Sequence, residues 1–397
     1  MLLRAMSRHQ TIRLKPREGR RARAGAPWIF SNEVQMDAAA KALAPGSVVN
    51  VAFDDGQPLG TAYFNPKSLI GLRLLDRAAD TIIGTGFFVR QLERALRIRG
   101  ALYDKPFYRL VHAEGDGLPG LTLDRFGDTI VAQISTSGME AFTDPMLKAL
   151  DKVLEPRTVI LRNDAPSRAL EGLEDYVRAA KGETGRIAVE ENGVRYFADL
   201  AGGQKTGWYY DQRDNRAFLA ALAKDKSVLD AYSYTGGFGI AAAKAGAGEV
   251  ICLDSSAPAL ALAEDSAAAN GVRVKCVKAD VFEEMERLAL AKETFDLVVA
   301  DPPPFVRARK DLEPGAKAYR KLARLAAAVT APNGFLLLAS CSHNMPAERF
   351  AGECAAGIAR AGRRAALIRQ AGAGPDHPVH PMLPETAYLK ALVYALD

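Results

Sequence analysis

The chain has 397 residues, of which 48% are hydrophobic and 25% charged, the balance of a soluble globular protein. It is too long for one ordinary core, so two or three domains are expected. No run of about 18 apolar residues occurs, so we expect no membrane span. The four cysteines are scattered without a C-x-x-C pair. This argues against a metal site and against disulfides, and it favours a cytoplasmic location.

Positive charge is concentrated at the N-terminus. Residues 1–75 contain 11 Lys and Arg against 5 Asp and Glu, whereas the whole chain has a formal charge of only +5. A basic module in front of a nearly neutral body is typical of proteins that bind a polyanion such as RNA. The alternative is an ordinary solvated surface.

Residues 1–76 predict a small β-barrel or sandwich, because short strand-like runs alternate with turn sequences such as DDGQP and NPKS. The segment REGRRARAGAPWIF lies between the first two runs. Its arginines suit phosphates, and its indole suits stacking on a base, although an indole is more often part of a core. The candidate RNA-binding residues of this segment are Arg17, Arg20, Arg21, Arg23 and Trp28.

Residues 77–200 predict a separate α+β module. Helical spacing runs over Phe87–Leu102 and around Asp144–Leu154, and Gly120–Ser135 predicts a hairpin. Further strands are expected at TVILRND and VRYFADL. No catalytic group is evident in this module, so we expect it to position substrate or to connect domains.

From residue 201 onward, apolar strands alternate with Ala-rich helical stretches, which is typical of a parallel sheet covered on both faces. The five strand runs are SVLDAYS, EVICLD, VKCVKAD, FDLVVAD and GFLLLAS. Tyr388–Leu396 is expected to be an antiparallel strand at the sheet edge. The sequence thus predicts an α/β, doubly wound, Rossmann-like domain over 201–397, with ligands at the carboxyl ends of its strands.

Acidic residues end three successive strands of this domain. The first leads into DAYSYTGGFG, whose spacing differs from G-x-G-x-x-G and whose acid would attract a methionine amino group but repel a pyrophosphate. The next two acids suit a ribose and an adenine edge, although a single acid there often caps a helix. Together they predict S-adenosylmethionine. The candidate cofactor-binding residues are Asp230, Tyr232, Ser233, Thr235, Gly236, Gly237, Phe238, Asp254, Ser255, Asp280 and Val281.

The fourth and fifth strands end in DPPPF and SCSHNM. The prolines hold the backbone rigidly and leave Phe305, a further candidate RNA-binding residue, able to stack on a base. Cys341 is the only cysteine expected at the ligand-binding end of a strand. A nitrogen acceptor has no use for a thiol, whereas carbon 5 of a pyrimidine becomes nucleophilic only after a thiolate adds to carbon 6. The alternative is a small residue packed under the loop.

These motifs resemble those of a known family. DAYSYTGGFG, DPPPF and SCS, preceded by GQKTGWYYDQRDNR, look like the motifs of the bacterial 23S rRNA cytosine-C5 methyltransferases of the large-subunit methyltransferase I type. The resemblance covers nearly the whole chain. PWIFSNEV is similar to that family's PUA domain, residues 77–200 to its EEHEE domain, and DHPVHPMLPETAYLK to its C-terminal signature.

The resemblance implies that Cys341 is the nucleophile and that Asp301 contacts the target base, helps to protonate its ring nitrogen and borders the cofactor. It also implies that S-adenosylmethionine is the cofactor, that 23S rRNA is the substrate, and that a homodimer should be tested. The residues expected to line the cofactor pocket with Asp301 are Gln204, Tyr209 and Arg213.

Two features of this chain depart from the pattern of related enzymes. Pro304 stands where the family usually has Lys, and no second cysteine accompanies the DPP motif, as it does in two-cysteine enzymes. Another base must therefore release the product. His343 is one candidate for that base, and an ordinary loop histidine is the alternative.

Two other functions remain open. The first is a guanine or amino-nitrogen RNA methyltransferase that uses Asp301 and Phe305 without a covalent step. The second is an RNA-binding ribosome-assembly factor without turnover. By the resemblance, related enzymes that methylate guanine lack the cysteine, so Cys341 favours cytosine.

Overall fold

A computed structural model of the chain describes residues 8–200, 202–203 and 206–397. These residues fall into two units, each described here by itself. The first unit draws its described residues from Met1–Gly185, Leu200–Gly207 and Pro375–Pro384, and the second consists of Arg186–Asp199, Trp208–Gly374 and Glu385–Asp397. Within the described ranges, no helix has the length and apolar character needed to cross a membrane.

The first unit begins with a five-stranded sheet, as its alternating apolar runs predict. Its strands are β1 (Thr11–Arg13), β2 (Trp28–Ile29), β3 (Ser47–Ala52), β4 (Pro58–Phe64) and β5 (Leu72–Asp76), in the order β1-β3-β4-β5-β2. Two short helices accompany it, α1 (Arg20–Arg23) and α2 (Ala38–Lys41). Leu14, Phe64 and Leu72 are buried in its core. The basic segment thus forms α1 and the chain on either side of it.

A second five-stranded sheet completes the first unit. Its strands are β6 (Phe107–His112), β7 (Leu121–Phe126), β8 (Thr129–Ile134), β9 (Thr158–Asn163) and β10 (Tyr176–Lys181), and its helices are α3 (Thr85–Leu102), α4 (Ser137–Ala141) and α5 (Thr143–Leu154). The sheet order is β10-β9-β8-β7-β6. Helices α3 and α5, the β7–β8 hairpin and β9 match the predicted elements, whereas α4 was not predicted. The sequence did not predict β6 and β10, because polar residues interrupt their apolar pattern.

A two-stranded hairpin, β11 (Arg186–Glu191) and β12 (Val194–Asp199), belongs to the second unit. The run VRYFADL, which the sequence pattern grouped with the middle module, forms β12. Phe197 N donates to Ser266 Oγ at 2.9 Å, and the Tyr196 hydroxyl donates to Gly237 O at 3.2 Å. These contacts fasten the hairpin to the second unit.

The second unit is a seven-stranded sheet with helices on both faces, which confirms the doubly wound prediction. Its strands are β13 (Ser227–Ala231), β14 (Glu249–Asp254), β15 (Lys275–Lys278), β16 (Phe295–Ala300), β17 (Thr330–Ser340), β18 (Ala365–Ala371) and β19 (Lys390–Leu396). Its helices are α6 (Arg213–Ala221), α7 (Gly237–Lys244), α8 (Ala257–Ala269), α9 (Val281–Ala291), α10 (Leu312–Ala328) and α11 (Ala347–Arg360). Strands β13 to β17 pair in parallel.

The strand order is β15-β14-β13-β16-β17-β19-β18. The C-terminal strand β19 is antiparallel, as predicted, but its placement at the sheet edge was wrong. It lies between β17 and β18, with which it pairs on either side. The sequence did not predict β18, because its apolar run is short and is followed at once by Arg369 and Gln370; most of the strand is exposed.

Both faces of the parallel strands are buried. Val228 and Leu229 are neighbours in β13 but belong to different apolar clusters, as do Leu336 and Leu337 in β17. This alternation follows from the two-residue repeat of a strand. Because helices cover both faces, a ligand can reach this sheet only at the ends of its strands.

Candidate active site

The glycine-rich turn between β13 and α7 has a constrained backbone. Tyr232 and Tyr234 have φ angles of 61° and 49°, in the left-handed region that costs a non-glycine residue about 1–3 kcal/mol. Ser233 N donates to Leu253 O at 3.1 Å, and Tyr234 N donates to Asp254 Oδ2 at 2.8 Å. Such backbone persists where neighbours hold it, and it is concentrated at ligand-binding sites.

Gly239 allows α7 to approach the sheet closely. A Cβ at this position would lie 2.6 Å from the sulfur of Cys252. The close approach lets Gly239 N donate to Oδ2 of Asp230 at 2.8 Å. The glycine is therefore needed for packing, and it also gives the buried carboxylate one donor.

Three carboxylates meet at this end of the sheet. Asp230 is almost fully buried, and burial, together with the negative charges of Asp301 and Asp254, raises its pKa to about 7. Both oxygens of Asp254 accept backbone N–H groups, from Tyr234 and Ser256, each at 2.8 Å. A bound cation would offset the mutual repulsion of these carboxylates.

S-adenosylmethionine fits this arrangement. It carries an ammonium and a sulfonium, and either charge would stabilise the ionised form of Asp230. The buried hydroxyl of Ser233 has no hydrogen-bond partner among the described residues, so it is available to a ligand. Asp230 and Ser233 would hold the amino-acid end of the cofactor, and Asp254, at the end of the neighbouring strand, would receive the ribose.

Replacing Asp230 with Asn tests this assignment. A raised carboxyl pKa means that the folded protein binds more protons than the unfolded chain, so stability falls as pH rises from about 4 to about 7. The Asn variant should lack this fall and melt at a higher temperature at about pH 8 without cofactor. Loss of a charged contact should weaken cofactor binding roughly 10- to 100-fold in calorimetry.

Asp296 provides the matched control, because the Ser227 N–H holds the pKa of its carboxyl below the usual range. Its Asn variant should lose stability above about pH 4 and keep its cofactor affinity. If Asp230→Asn binds cofactor as the unmodified protein does, the assignment of Asp230 is wrong.

The remaining predicted cofactor residues differ in exposure. Ser255 and Asp280 are exposed, and Asp280 caps α9 by accepting a hydrogen bond from Glu283 N at 3.1 Å. Val281 is buried with the sheet core, which leaves its main chain to meet an adenine edge. Gln204 lies outside the described residues. The predicted cofactor residues on the glycine-rich turn and at the start of α7 are half-buried or buried: Tyr232, Thr235, Gly236, Gly237 and Phe238.

A buried glutamate organises the segment that leads into α6. Glu191 accepts a hydrogen bond from Trp208 Nε1 at 3.1 Å and two from the guanidinium of Arg216, at 2.6 and 2.8 Å. Arg213 Nε lies 3.7 Å from the same carboxylate. Arg216 also donates to the carbonyl oxygen of Tyr209 at 2.8 Å. The predicted cofactor residues Tyr209 and Arg213 are thus positioned by Glu191, which the sequence analysis missed.

Asp301 is oriented by a short chain of side-chain amides. Gln212 Nε2 donates to Asp301 Oδ2 at 2.8 Å, and Asn215 Nδ2 donates to Gln212 Oε1 at 2.6 Å. The Gln212 amide is buried, so its Nε2 hydrogen bond to the Asp301 carboxylate is shielded from water. This contact holds Asp301 at the carboxyl end of β16.

Cys341 is held between two buried serines. The hydroxyl of Ser340 donates to the Tyr319 hydroxyl at 2.8 Å, and Ser342 Oγ lies 2.9 Å from the same oxygen. Ser342 Oγ also accepts from Val306 N at 3.2 Å, which ties the loop to the chain after DPPPF. The SCS motif therefore anchors the backbone on both sides of a half-buried thiol.

Asp301 and Cys341 both influence the pKa of the Tyr209 hydroxyl. Burial raises the pKa of Tyr209, and the negative charges of Asp301 and Cys341 are among the groups that raise it further. Since β16 and β17 are parallel neighbours, their carboxyl ends bring these two residues together. Phe305 is half-buried, with its ring centroid 4.7 Å from that of Tyr319 and 6.0 Å from that of Phe282.

The other three cysteines do not follow a strand of the sheet as Cys341 does. Cys252 and Cys354 are buried, and burial raises the pKa of Cys354. Cys276 is half-buried and directs its thiol to Leu260 O at 3.7 Å. Among the described residues, no group of three or more His, Cys, Asp and Glu could hold a metal ion.

In the first unit, the arginines of the basic segment are exposed. Arg21 donates to Met382 O at 3.0 Å, and Arg23 donates to Gln57 Oε1 at 3.0 Å while its guanidinium covers the ring of Phe53. Arg17 and Arg20 lie on the same exposed stretch. The half-buried Trp28 donates its indole N–H to Glu114 at 2.8 Å.

Two parts of the chain match known protein families. Residues 12–77 match the PUA-like domain family, and residues 169–394 match the S-adenosylmethionine-dependent methyltransferase family. Among solved structures, the fold of this chain is similar to that of a candidate methyltransferase complexed with SAH, with a TM-score of 0.83. The two sequences are 22% identical, and the alignment covers 97% of this chain and 100% of the other. At that identity, the likeness shows the fold alone.

Curated relatives match nearly the whole chain. The ribosomal RNA large subunit methyltransferase I of Shewanella denitrificans is 37% identical over 96% of this chain and 98% of its own. The ribosomal RNA large subunit methyltransferase I of Alteromonas mediterranea is 36% identical over 96% of this chain and 97% of its own. The chain therefore belongs to the S-adenosylmethionine-dependent methyltransferase family that contains the ribosomal RNA large subunit methyltransferases I.

Proposed function

We propose that this chain methylates carbon 5 of a cytosine in large-subunit ribosomal RNA. The names of the curated relatives support ribosomal RNA as the substrate, and the family match supports the cofactor. The division into an RNA-binding module (1–76), a connecting module (77–200) and a catalytic domain (201–397) is part of the proposal, although the hairpin of Arg186–Asp199 belongs to the second unit. A homodimer stays a prediction.

The position of Cys341 carries the cytosine-C5 assignment. Its thiol is half-buried, its backbone is anchored on both sides through Ser340 and Ser342, and its negative charge, like that of Asp301, raises the pKa of Tyr209. A cysteine that only filled space would not need hydroxyl anchors on both sides at the carboxyl end of β17. Nucleophilic catalysis needs a thiol held in place beside an acid–base group.

In this mechanism, the Cys341 thiolate forms a bond to carbon 6 of the cytosine. The electron pair of the 5,6 double bond forms a 4,5 double bond, the displaced pair of the C4–N3 double bond moves to the ring nitrogen, and that nitrogen takes a proton from the carboxyl group of Asp301. S-adenosylmethionine supplies an electrophilic methyl group for carbon 5. A base then removes the proton from carbon 5, and the ring nitrogen returns its proton to Asp301. The 5,6 double bond re-forms, and the electrons of the S–C6 bond return to the sulfur.

The deciding experiment is nucleoside mass spectrometry of ribosomal RNA after incubation with the protein and isotope-labelled cofactor. Label in 5-methylcytidine is the expected result. Label in a methylguanosine or an amino-methylated nucleoside would reject the cytosine-C5 assignment, and no label would favour a binding role without turnover. RNA containing 5-fluorocytidine gives a second readout, because fluorine at carbon 5 cannot leave as a proton and the cysteine adduct should persist.

The basic segment should contribute to RNA binding. Replacing Arg20, Arg21 and Arg23 with Ala should weaken binding and lower the salt dependence, by up to about two units in the log–log slope for single-stranded RNA. The matched control replaces the exposed α3 residues Arg90, Arg94 and Arg97. Equal losses in both triple variants would show a general charge effect rather than a site on α1.

A further inference from the structure

Lys390 is the first residue of β19, and it reaches into the loop that carries Cys341. It pairs with Ser340, the last residue of β17, across the antiparallel ladder. Its ammonium donates to the main-chain oxygen of Ser342 at 2.6 Å and to that of Met345 at 3.0 Å. The lysine therefore spans the loop that begins at the thiol.

Burial and the charge of Cys341 act on the half-buried amine of Lys390 in opposite directions. Burial lowers the pKa of Lys390 to about 8, and the negative charge of Cys341 counteracts part of this shift. An ammonium has three N–H groups, and two of them are used by the loop carbonyls. One N–H remains on a cation that interacts electrostatically with the thiolate.

The surroundings of Lys390 contain other titratable groups. His343 and Glu385 line a cavity of about 500 Å³ together with Lys390. Tyr388 precedes Lys390 in the chain, and its ring centroid lies 5.1 Å from that of His343. The negative charges of Asp301 and Cys341 both raise the pKa of Tyr209, and that of Cys341 also raises the pKa of Tyr319. Negative charges such as those of Asp301 and Glu385 oppose a thiolate at Cys341, whereas the ammonium of Lys390 favours it.

We propose that Lys390 is a positioning residue for Cys341: its ammonium fixes the loop after the thiol and stabilises the thiolate by its charge. The use of this thiolate in catalysis rests on the proposed cytosine-C5 function. The effect on the thiol itself does not, because it can be measured without RNA.

The test is the pH profile of Cys341 alkylation by iodoacetamide in the full chain, followed on the Cys341 peptide by mass spectrometry. A nearby opposite charge shifts a titration by about one unit or more. Replacing Lys390 with Met or Gln should therefore move the midpoint of the profile up by about one pH unit. At neutral pH, alkylation should slow roughly tenfold. Gln is included because its amide can still donate to the loop carbonyls without a charge.

Lys390→Arg should keep the lower midpoint, because guanidinium is a permanent cation. The exposed Lys278 provides the matched control, and Lys278→Met should leave the profile unchanged. The buried Cys252 and Cys354 report folding in the same experiment, because they become alkylated only if the variant unfolds.

Two results would overturn the proposal. Folded Lys390→Gln could show the same midpoint as the unmodified protein, or Lys390→Arg could shift as far as Lys390→Met. Failure of the proposed function is separate: labelled RNA without 5-methylcytidine rejects cytosine-C5 transfer even where the alkylation profile depends on Lys390. Conversely, 5-methylcytidine formation with an unchanged profile rejects only the role of Lys390.

Discussion

Replacing Cys341 with Ala is expected to reduce methyl transfer to ribosomal RNA roughly a thousandfold or more. Carbon 5 of cytosine is a poor nucleophile until a thiolate adds to carbon 6, so no other step can replace the lost sulfur. Cofactor affinity and melting temperature should stay close to those of the unmodified protein, because the thiol is only half-buried and Ser340 and Ser342 still anchor the loop. Methyl transfer with labelled cofactor, calorimetry and thermal unfolding measure the three quantities.

The half-buried Cys276 in β15 offers a matched control, because its substitution with Ala removes a thiol of similar exposure far along the sheet order from β17. That variant should keep its activity. If Cys341→Ala methylated RNA at an undiminished rate, the covalent mechanism would be rejected and an amino-nitrogen or guanine acceptor would be favoured instead.

Replacing Glu191 with Gln is expected to lower the stability of the second unit by about 3–5 kcal/mol. The substitution keeps the shape of the side chain but leaves the buried guanidinium of Arg216 without its nearest counter-charge. Trp208 and Arg216 both bind this carboxylate, so the segment carrying Tyr209 should loosen and cofactor affinity should fall. Urea unfolding followed by Trp208 fluorescence, in a Trp28→Phe background, reports this region directly.

Glu190 is the neighbour of Glu191 in β11 and provides the control. Its partner Arg195 lies at 3.5 Å, and both side chains are substantially exposed to water. An exposed pair contributes little, so Glu190→Gln should change the free energy of unfolding by less than about 1 kcal/mol. Equal effects of the two substitutions would mean that Glu191 is no more than an ordinary surface charge.

Local patterns in the sequence were sufficient for most elements and for several candidate site positions. The continuous apolar runs of β13, β14, β16 and β17 predicted a sheet covered on both faces, and the structure confirms it. Because parallel strands end at one edge, the acids after those runs were expected to meet there. Of the three acids predicted to hold the cofactor, Asp230 and Asp254 interact at that edge, together with Asp301, whereas Asp280 is exposed and caps α9.

The sequence pattern did not reveal the strand order beyond β17. Strand β18 is mostly exposed and was not predicted. Its backbone pairing with β19, and that of β19 with β17, show that β19 lies between the two. This insertion places Lys390 opposite Ser340. The candidate role of that lysine therefore depends on a strand placement that the apolar pattern did not predict.

The sequence by itself determined the doubly wound fold, the glycine-rich turn and the candidate nucleophile, because each depends on a repeat or motif within a few neighbouring residues. Only the tertiary structure decided which side chains support them. Glu191 with Arg216, Tyr319 with the serines around Cys341, and Lys390 with the same loop are pairs separated by 20 to 50 residues. Contacts of that kind follow from how strands and helices pack, and no local pattern encodes them.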